Sequence, residues 1–234
     1  MKFVELKKEE NVMIMFMNHK ENNAFAPTFI EELHLALDDV ESNSEIDALV
    51  VTGGSEKFFC TGLDLEDMEW ISKGNDAILN FMSSMNSLFK RVLLFPMLTI
   101  SCINGHAYAG GVILAFLMDY RFMRQDRGFL RCPEVTININ FPYSMVKVIE
   151  KVVSPVVARD MILVGKKYDG NEALKVGAVD GIFTKEELLP QAVKFAKEKS
   201  AQLTKRAFIS IKQSMYGELA KILDKENWQG FPFG

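Results

Sequence analysis

From Val92 to Met118 the chain carries no Asp, Glu, Lys or Arg. An uncharged run of that length either crosses a bilayer or lies inside a folded domain. Its middle decides between the two. Pro96, Asn104, Gly105, His106, Gly110 and Gly111 interrupt it, and lipid-exposed backbone does not tolerate a turn at the membrane centre. The segment reads instead as a buried strand over 98–103, a glycine-bearing loop over 104–109 and a buried helix over 110–117. No membrane association is expected.

A domain that swallows such a segment needs a sizeable core. The 234 residues, 48% hydrophobic and 25% charged, are enough to build one and exclude global disorder. Segments 2–7 and 12–17 alternate as the strands of a hairpin. Thr28-Phe-Ile-Glu31 reads as a capping box. It opens a helix to about Ser42, with Ile30, Leu33, Leu37 and Val40 at helical spacing. Asp47 to Gly53 is a short apolar, β-branched run of the kind buried in a parallel sheet. A loop over 58–63 leads to a helix beginning DLEDMEWI, which Asp64 can cap. A longer helix over 77–94 stops at Pro96, and a strand follows over 120–124. Beyond Pro142 the pattern is almost wholly helical, with one short strand around 178–182. Strands alternating with helices predict an α/β fold with βαβ-type connections. The expected division is a core over 1–188 and a helical C-terminal region over 189–234.

Net charge is −4, which argues against a protein that grips nucleic acid by neutralising phosphates. Charge is uneven, however. Eleven acids and one Lys lie between Glu31 and Asp67, and eight Lys or Arg against three acids between Gln191 and Lys225. Solvated helix faces explain most of this, although a basic C-terminal face also suits an anionic ligand. Cys60, Cys102 and Cys132 form no CxxC pair, so neither a disulfide framework nor a zinc or other metal site is expected. A reducing cytoplasm is the expected setting. The first residues are charged and strand-like, unlike a signal peptide, and FPFG at the end is not an SKL-type address.

Several chemistries lack their signatures. There is no GxxxxGK[ST] loop, GxSxG elbow or HExxH. Of the three histidines, His19 falls in a charged turn, His34 on a polar helix side, and His106 in the glycine-bearing loop. Two loops remain, each between a strand and a helix: Phe58 to Leu65 and Asn104 to Val112. Backbone N–H groups at such helix starts are free to bind an anion or a developing oxyanion, but ordinary turns have the same composition. The third element is Arg131-Cys-Pro-Glu134. Its carboxylate opens a neutral, apolar run to Met145. It is either a salt-bridged turn residue or a desolvated base with a raised pKa.

Together these pieces resemble the crotonase (enoyl-CoA hydratase/isomerase) superfamily. Phe59-Cys-Thr-Gly-Leu-Asp-Leu65 is similar to its F-[CS]-[AS]-G-x-D-[LI] segment. Ile103-Asn-Gly-His-Ala-Tyr-Ala-Gly-Gly111 resembles its second glycine segment, and Pro133-Glu134 a catalytic-glutamate position. Asn23-Ala-Phe25 looks like its N-A-[LF] motif, and Ala173-Leu-Lys-Val-Gly-Ala-Val-Asp-Gly181 like the A-x-x-x-G-[LA]-V-[DT] stretch. The matches span roughly residues 2 to 215, in order.

The resemblance implies a ββα spiral core followed by helices that assemble trimers, often paired into hexamers. It implies an acyl-CoA thioester substrate, with CoA part of the substrate and no separate cofactor. The oxyanion hole would be the backbone N–H groups of Leu63 and Gly110. Phe25, Thr61, Gly62, Asp64, Met68, Gly111 and Phe141 would contact substrate. Hydratases of the family carry a second glutamate where this chain has Ile113, so the sequence looks most like the Δ3,Δ2-enoyl-CoA isomerases. In those, one base, here Glu134, shuttles a proton from C2 to C4 of a 3-enoyl-CoA. Hydration, thioester hydrolysis, decarboxylation and acyl-CoA binding without turnover remain alternatives. The chain has 13 Met and 18 Phe against 5 Tyr and 2 Trp. That surplus divides between core packing and a pliable acyl cavity, the latter from Phe25, Met68, Trp70, Phe81, Met82, Met85 and Phe141.

Overall fold

The computed structural model describes residues 1–65, 74–226 and 228. The expected helix start DLEDMEWI falls mostly outside them, as do Met68 and Trp70. The fold is α/β. Its main sheet has six strands: β1 (Val4–Glu9), β2 (Val12–Met17), β3 (Ala48–Gly53), β5 (Leu98–Ile103), β7 (Tyr120–Arg124) and β9 (Gly181–Phe183), in that spatial order. Only β1 and β2 are antiparallel; every later pairing is parallel. A second sheet of three parallel strands joins β4 (Phe58–Cys60), β6 (His106–Tyr108) and β8 (Leu130–Arg131).

The central strands are apolar throughout because both faces of the main sheet are covered. Leu49 and Val51 of β3 join Met15, Met17 and the helices of the larger core. Ala48 and Val50 point the other way, onto Leu188, Ala192 and Ala196 of α7 (Lys185–Ser200). Alternation along β3 thus serves two hydrophobic layers. The expected boundary near Leu188 lies within α7. On the opposite side stand α1 (Pro27–Ser42), α2 (Asn75–Leu93) and α3 (Gly110–Leu117), the last buried at all eight positions. The charge-free run is therefore the end of α2, then β5, β6 and α3. No helix among the described residues is long and apolar enough to cross a membrane.

After the 3-10 turn at Glu134–Thr136 come α4 (Tyr143–Val152), α5 (Pro155–Leu163), α6 (Gly170–Lys175) and, beyond β9 and α7, α8 (Lys205–Asp224). Helix α8 folds back on the core. Its Lys212, 3% exposed, pairs with Asp119 at 2.9 Å and donates to Phe95 O at 3.2 Å.

Two local expectations are corrected and one is sharpened. The capping box at Thr28 does not form: α1 begins at Pro27, whose fixed φ suits the first helical position, and Ala26 makes no side-chain cap. His19 does fall in the charged turn, but its side chain turns into the fold. It is buried, hydrogen-bonded to Ala24 O at 2.7 Å and stacked on Phe29. The strand expected at 178–182 sits slightly later, at Gly181–Phe183.

Candidate active site

The two glycine-bearing loops lie side by side because the second sheet pairs their strands. Asn104 ties the start of the second loop to the end of β3: its Oδ1 accepts from Gly53 N and its Nδ2 donates to Gly53 O, each at 3.0 Å. Asn23, fully buried, adds a third segment by donating to Phe59 O at 3.0 Å, while its Oδ1 accepts from His19 N at 2.9 Å. The loop after β4 then runs between Phe25 and the start of α3. Phe25 N donates to Gly62 O at 2.7 Å and Asp64 N to Phe25 O at 3.0 Å. This parallel bridge uses the peptide groups on either side of Leu63 and turns the Leu63 N–H to the opposite flank.

On that flank stands Gly110. Gly62 adopts φ +81°, and a Cβ there would lie 2.7 Å from Gly110 N, so only glycine allows this approach. Gly110 begins α3, where an N–H has no partner within its own helix. Neither Leu63 N–H nor Gly110 N–H donates a hydrogen bond among the described residues. The peptide leading to Gly110 is aimed by Ala109, at φ 50° and ψ −124°, a conformation that costs a non-glycine residue of order 1–3 kcal/mol.

Leu63 and Gly110 border a cleft of about 630 Å³, open to solvent, shared with Thr61, Tyr108, Glu134 and Asn140. Its other walls are apolar: Leu65, Met85, Ile137, Ile139, Pro142 and Met145. Most come from α2, α4 and the neutral run after Glu134.

Glu134 is 7% exposed, and its Oε2 has no hydrogen-bond partner among the described residues. Burial pushes its carboxyl up to about 7, against smaller downward pulls from its own backbone N–H and from Arg131. Among the described residues no salt bridge holds Glu134, against the first of its two sequence readings. Arg131 donates through Nε to Gly165 O at 3.1 Å and through Nη2 to Thr136 Oγ1 at 3.4 Å. A carboxylate titrating near neutrality in a mostly apolar cleft can take up and return a proton.

Sequence reasoning passed over several cleft residues, and Tyr108 is the one with the most chemistry. Its hydroxyl lies 3.0 Å from His106 Nδ1. Burial raises the Tyr108 phenol and lowers the His106 imidazole, the latter helped by Arg127, Lys57 and Lys167. Both groups are therefore neutral at pH 7. The sequence carried no signal for it, because β6 has only three residues, too few to show a strand period.

Not every residue expected to contact substrate reaches the cleft wall. Thr61 does. Phe25 packs against Phe29 and Phe89 instead. Asp64 is buried and pairs with Lys20 at 2.5 Å. Gly111 is held against β4, where a Cβ would meet Cys60 O at 2.0 Å. Phe141 is partly buried against the main core. Ile113, where a second glutamate would stand, is fully buried in α3.

The enoyl-CoA hydratase/isomerase family model matches residues 7–227. Two Arabidopsis thaliana relatives, enoyl-CoA delta isomerase 3 and the peroxisomal enoyl-CoA delta isomerase 2, are each 32% identical. The first is matched over 94% of both chains, the second over 94% of this chain and 95% of its own. A crystal structure of a probable enoyl-CoA hydratase from Mycobacterium tuberculosis superposes with a TM-score of 0.86 at 22% identity, covering 94% of this chain and 91% of that one.

Proposed function

Because the chain belongs to the enoyl-CoA hydratase/isomerase family, we propose that it moves the double bond of a 3-enoyl-CoA to the trans-2 position. The observation that carries this reading is the state of Glu134: the one carboxyl side chain on the described cleft wall, buried, with an unpartnered oxygen and a pKa raised to about 7.

The thioester carbonyl is held by the N–H groups of Leu63 and Gly110. Glu134 takes a proton from C2, and the electron pair spreads over the thioester oxygen and the C3–C4 double bond as a dienolate. Two fixed donors stabilise that oxyanion, and losing one such donor commonly costs about two to three orders of magnitude in rate. The same carboxyl then returns its proton to C4, leaving a C2–C3 double bond conjugated with the carbonyl. No separate cofactor takes part. With Ile113 apolar, no second carboxylate stands on the cleft wall among the described residues to activate water.

Purified protein is expected to convert 3-enoyl-CoA to trans-2-enoyl-CoA, followed by absorbance of the conjugated thioester. Glu134→Gln should remain folded and inactive; full activity in that variant overturns the assignment. One observation favours a second reading, hydration of 2-enoyl-CoA: the Tyr108 hydroxyl, paired with His106, is another proton-bearing group in the cleft. A 3-hydroxyacyl-CoA product would establish it.

The reading extends to assembly and setting. Exposed Val156, Leu163, Val164, Ile211 and Met215 offer apolar surface for a homotrimer or hexamer, which light scattering would detect. The three cysteines are buried and free, as suits a reducing compartment such as the cytoplasm.

A further inference from the structure

The walls of the cleft are joined from behind by the far end of the chain. Met85 of α2 and Met145 of α4 both line the cleft. The residue after Met85, Asn86, is buried and donates through Nδ2 to Leu223 O at 2.9 Å. One turn further along α2, Lys90 pairs with Asp224 at 2.6 Å. The residue before Met145, Ser144, donates its backbone N–H to Glu226 Oε2 at 2.6 Å. That carboxylate sits at the start of α4, where free N–H groups and the helix dipole favour an anion. Trp228, 4% exposed, is packed into the main core.

The stretch from Leu223 to Glu226 therefore bridges two helices, and two of its anchors, Asn86 and Ser144, are immediate neighbours of a cleft-lining methionine. Helices transmit displacement as rigid bodies, so a shift at either anchor moves the adjoining wall. The anchors are also incompletely satisfied: Asn86 Oδ1 and Ser144 Oγ are buried without partners among the described residues. A contact of this kind is held less firmly than a fully paired polar network.

We propose that Asn86 and Glu226 are specificity-determining residues. By latching Leu223–Glu226 across α2 and α4, they fix how far the two walls can part and so which acyl tails the cleft admits. The proposal rests on the acyl-CoA reading above and concerns the size of the tail rather than the reaction.

Binding of saturated acyl-CoAs tests it without requiring turnover. Affinities for butanoyl-, octanoyl- and dodecanoyl-CoA are measured by calorimetry for wild type, Asn86→Ala and Glu226→Ala. Releasing the latch should leave butanoyl-CoA affinity unchanged and raise the dodecanoyl-to-butanoyl affinity ratio by about threefold or more, a modest effect for a tail several methylenes longer. Lys90→Ala removes an exposed ion pair without disturbing the core, and it should shift the ratio in the same direction by less. This variant keeps the test open if the other two fold poorly. An unchanged ratio, or uniform weakening at every chain length, overturns the latch. If wild type binds none of the three thioesters, the acyl-CoA reading fails and the latch with it. Binding without isomerisation leaves the latch test intact and removes only the proposed reaction.

Discussion

Arg131 stands three residues before Glu134 and sends its guanidinium away from it, to Gly165 O and Thr136 Oγ1. Thr136 Oγ1 in turn donates to Pro133 O at 2.7 Å. The arginine thereby braces the 3-10 turn that carries the glutamate while leaving the carboxylate unpaired. Its positive charge still draws the Glu134 pKa down, against the larger upward push of burial. Among the described residues no other cation acts on the carboxyl: the Cys132 thiol is held protonated by burial, and burial likewise raises the Tyr108 phenol.

Arg131→Gln should therefore raise the Glu134 pKa. The base works when ionised, so the acidic limb of the kcat/KM profile should move to higher pH by about 0.5 to 1 unit. Activity should fall below neutrality and converge with wild type at alkaline pH. Arg131→Lys keeps the charge and should keep the limb in place. Thr136→Val, which loosens the brace without altering charge, should not move it either. Superimposed profiles for Arg131→Gln and wild type would refute the electrostatic role.

Glu134→Gln should lower isomerisation by about two to four orders of magnitude while stabilising the fold at alkaline pH. The folded-state pKa, about 7, lies above the ordinary value of 4.5. Between these values the folded protein holds a proton that the unfolded chain releases. Its contribution to stability is complete below pH 4.5 and lost as pH rises through 7, a difference of up to about 3 kcal/mol. Glutamine carries no such dependence. The stability gap between variant and wild type should widen from pH 5 to pH 8, read by urea titration at each pH.

Much of this could be seen in the sequence, for physical reasons. A charge-free run broken by glycines leaves a chain few choices, so β5, the turn and α3 were legible. Alternation and helical spacing found most long elements because burial of one face repeats along them. The second sheet was not legible as strands: β4 and β6 have three residues each and β8 has two, too few to show a period. Local spacing also misleads where tertiary contacts decide. Arg131 and Glu134 are close enough in sequence to invite an ion pair, yet the turn directs one outward and the other into the cleft. His19 sits among charged residues and is nonetheless buried, because Asn23 and Ala24 fold back over it. The Asn86 bond to Leu223 spans 137 positions, and nothing at either end announces the other.

Ala109→Gly should make the protein more stable and less active. The φ 50°, ψ −124° backbone that aims the Gly110 N–H is accessible to glycine without the strain an alanine bears. Relief of that strain, less the added freedom of the unfolded chain, should stabilise by about 1 kcal/mol. The same freedom leaves the oxyanion donor less fixed, and turnover should drop a few-fold with little change in substrate affinity. Thermal melts and initial rates check both halves. A variant that is less stable than wild type would show that the conformation carries no strain.

Lys212→Met should be among the most damaging changes away from the cleft. Lys212 reaches from α8 into the core, where Asp119 also accepts hydrogen bonds from Thr99 N and Thr99 Oγ1, each at 2.9 Å. Removing the cation strands a carboxylate that is only 13% exposed, and breaking one side of a buried pair costs about 3–5 kcal/mol. The penalty belongs mainly to the orphaned charge rather than to lost attraction. Asp119→Asn in the same chain should therefore recover a large part of it, even though the ion pair is then absent altogether. Chemical denaturation of the two single variants and the double variant gives the coupling energy directly. Additive losses would mean that Lys212 holds α8 through its bond to Phe95 O and its packing, with the charge of Asp119 playing no part.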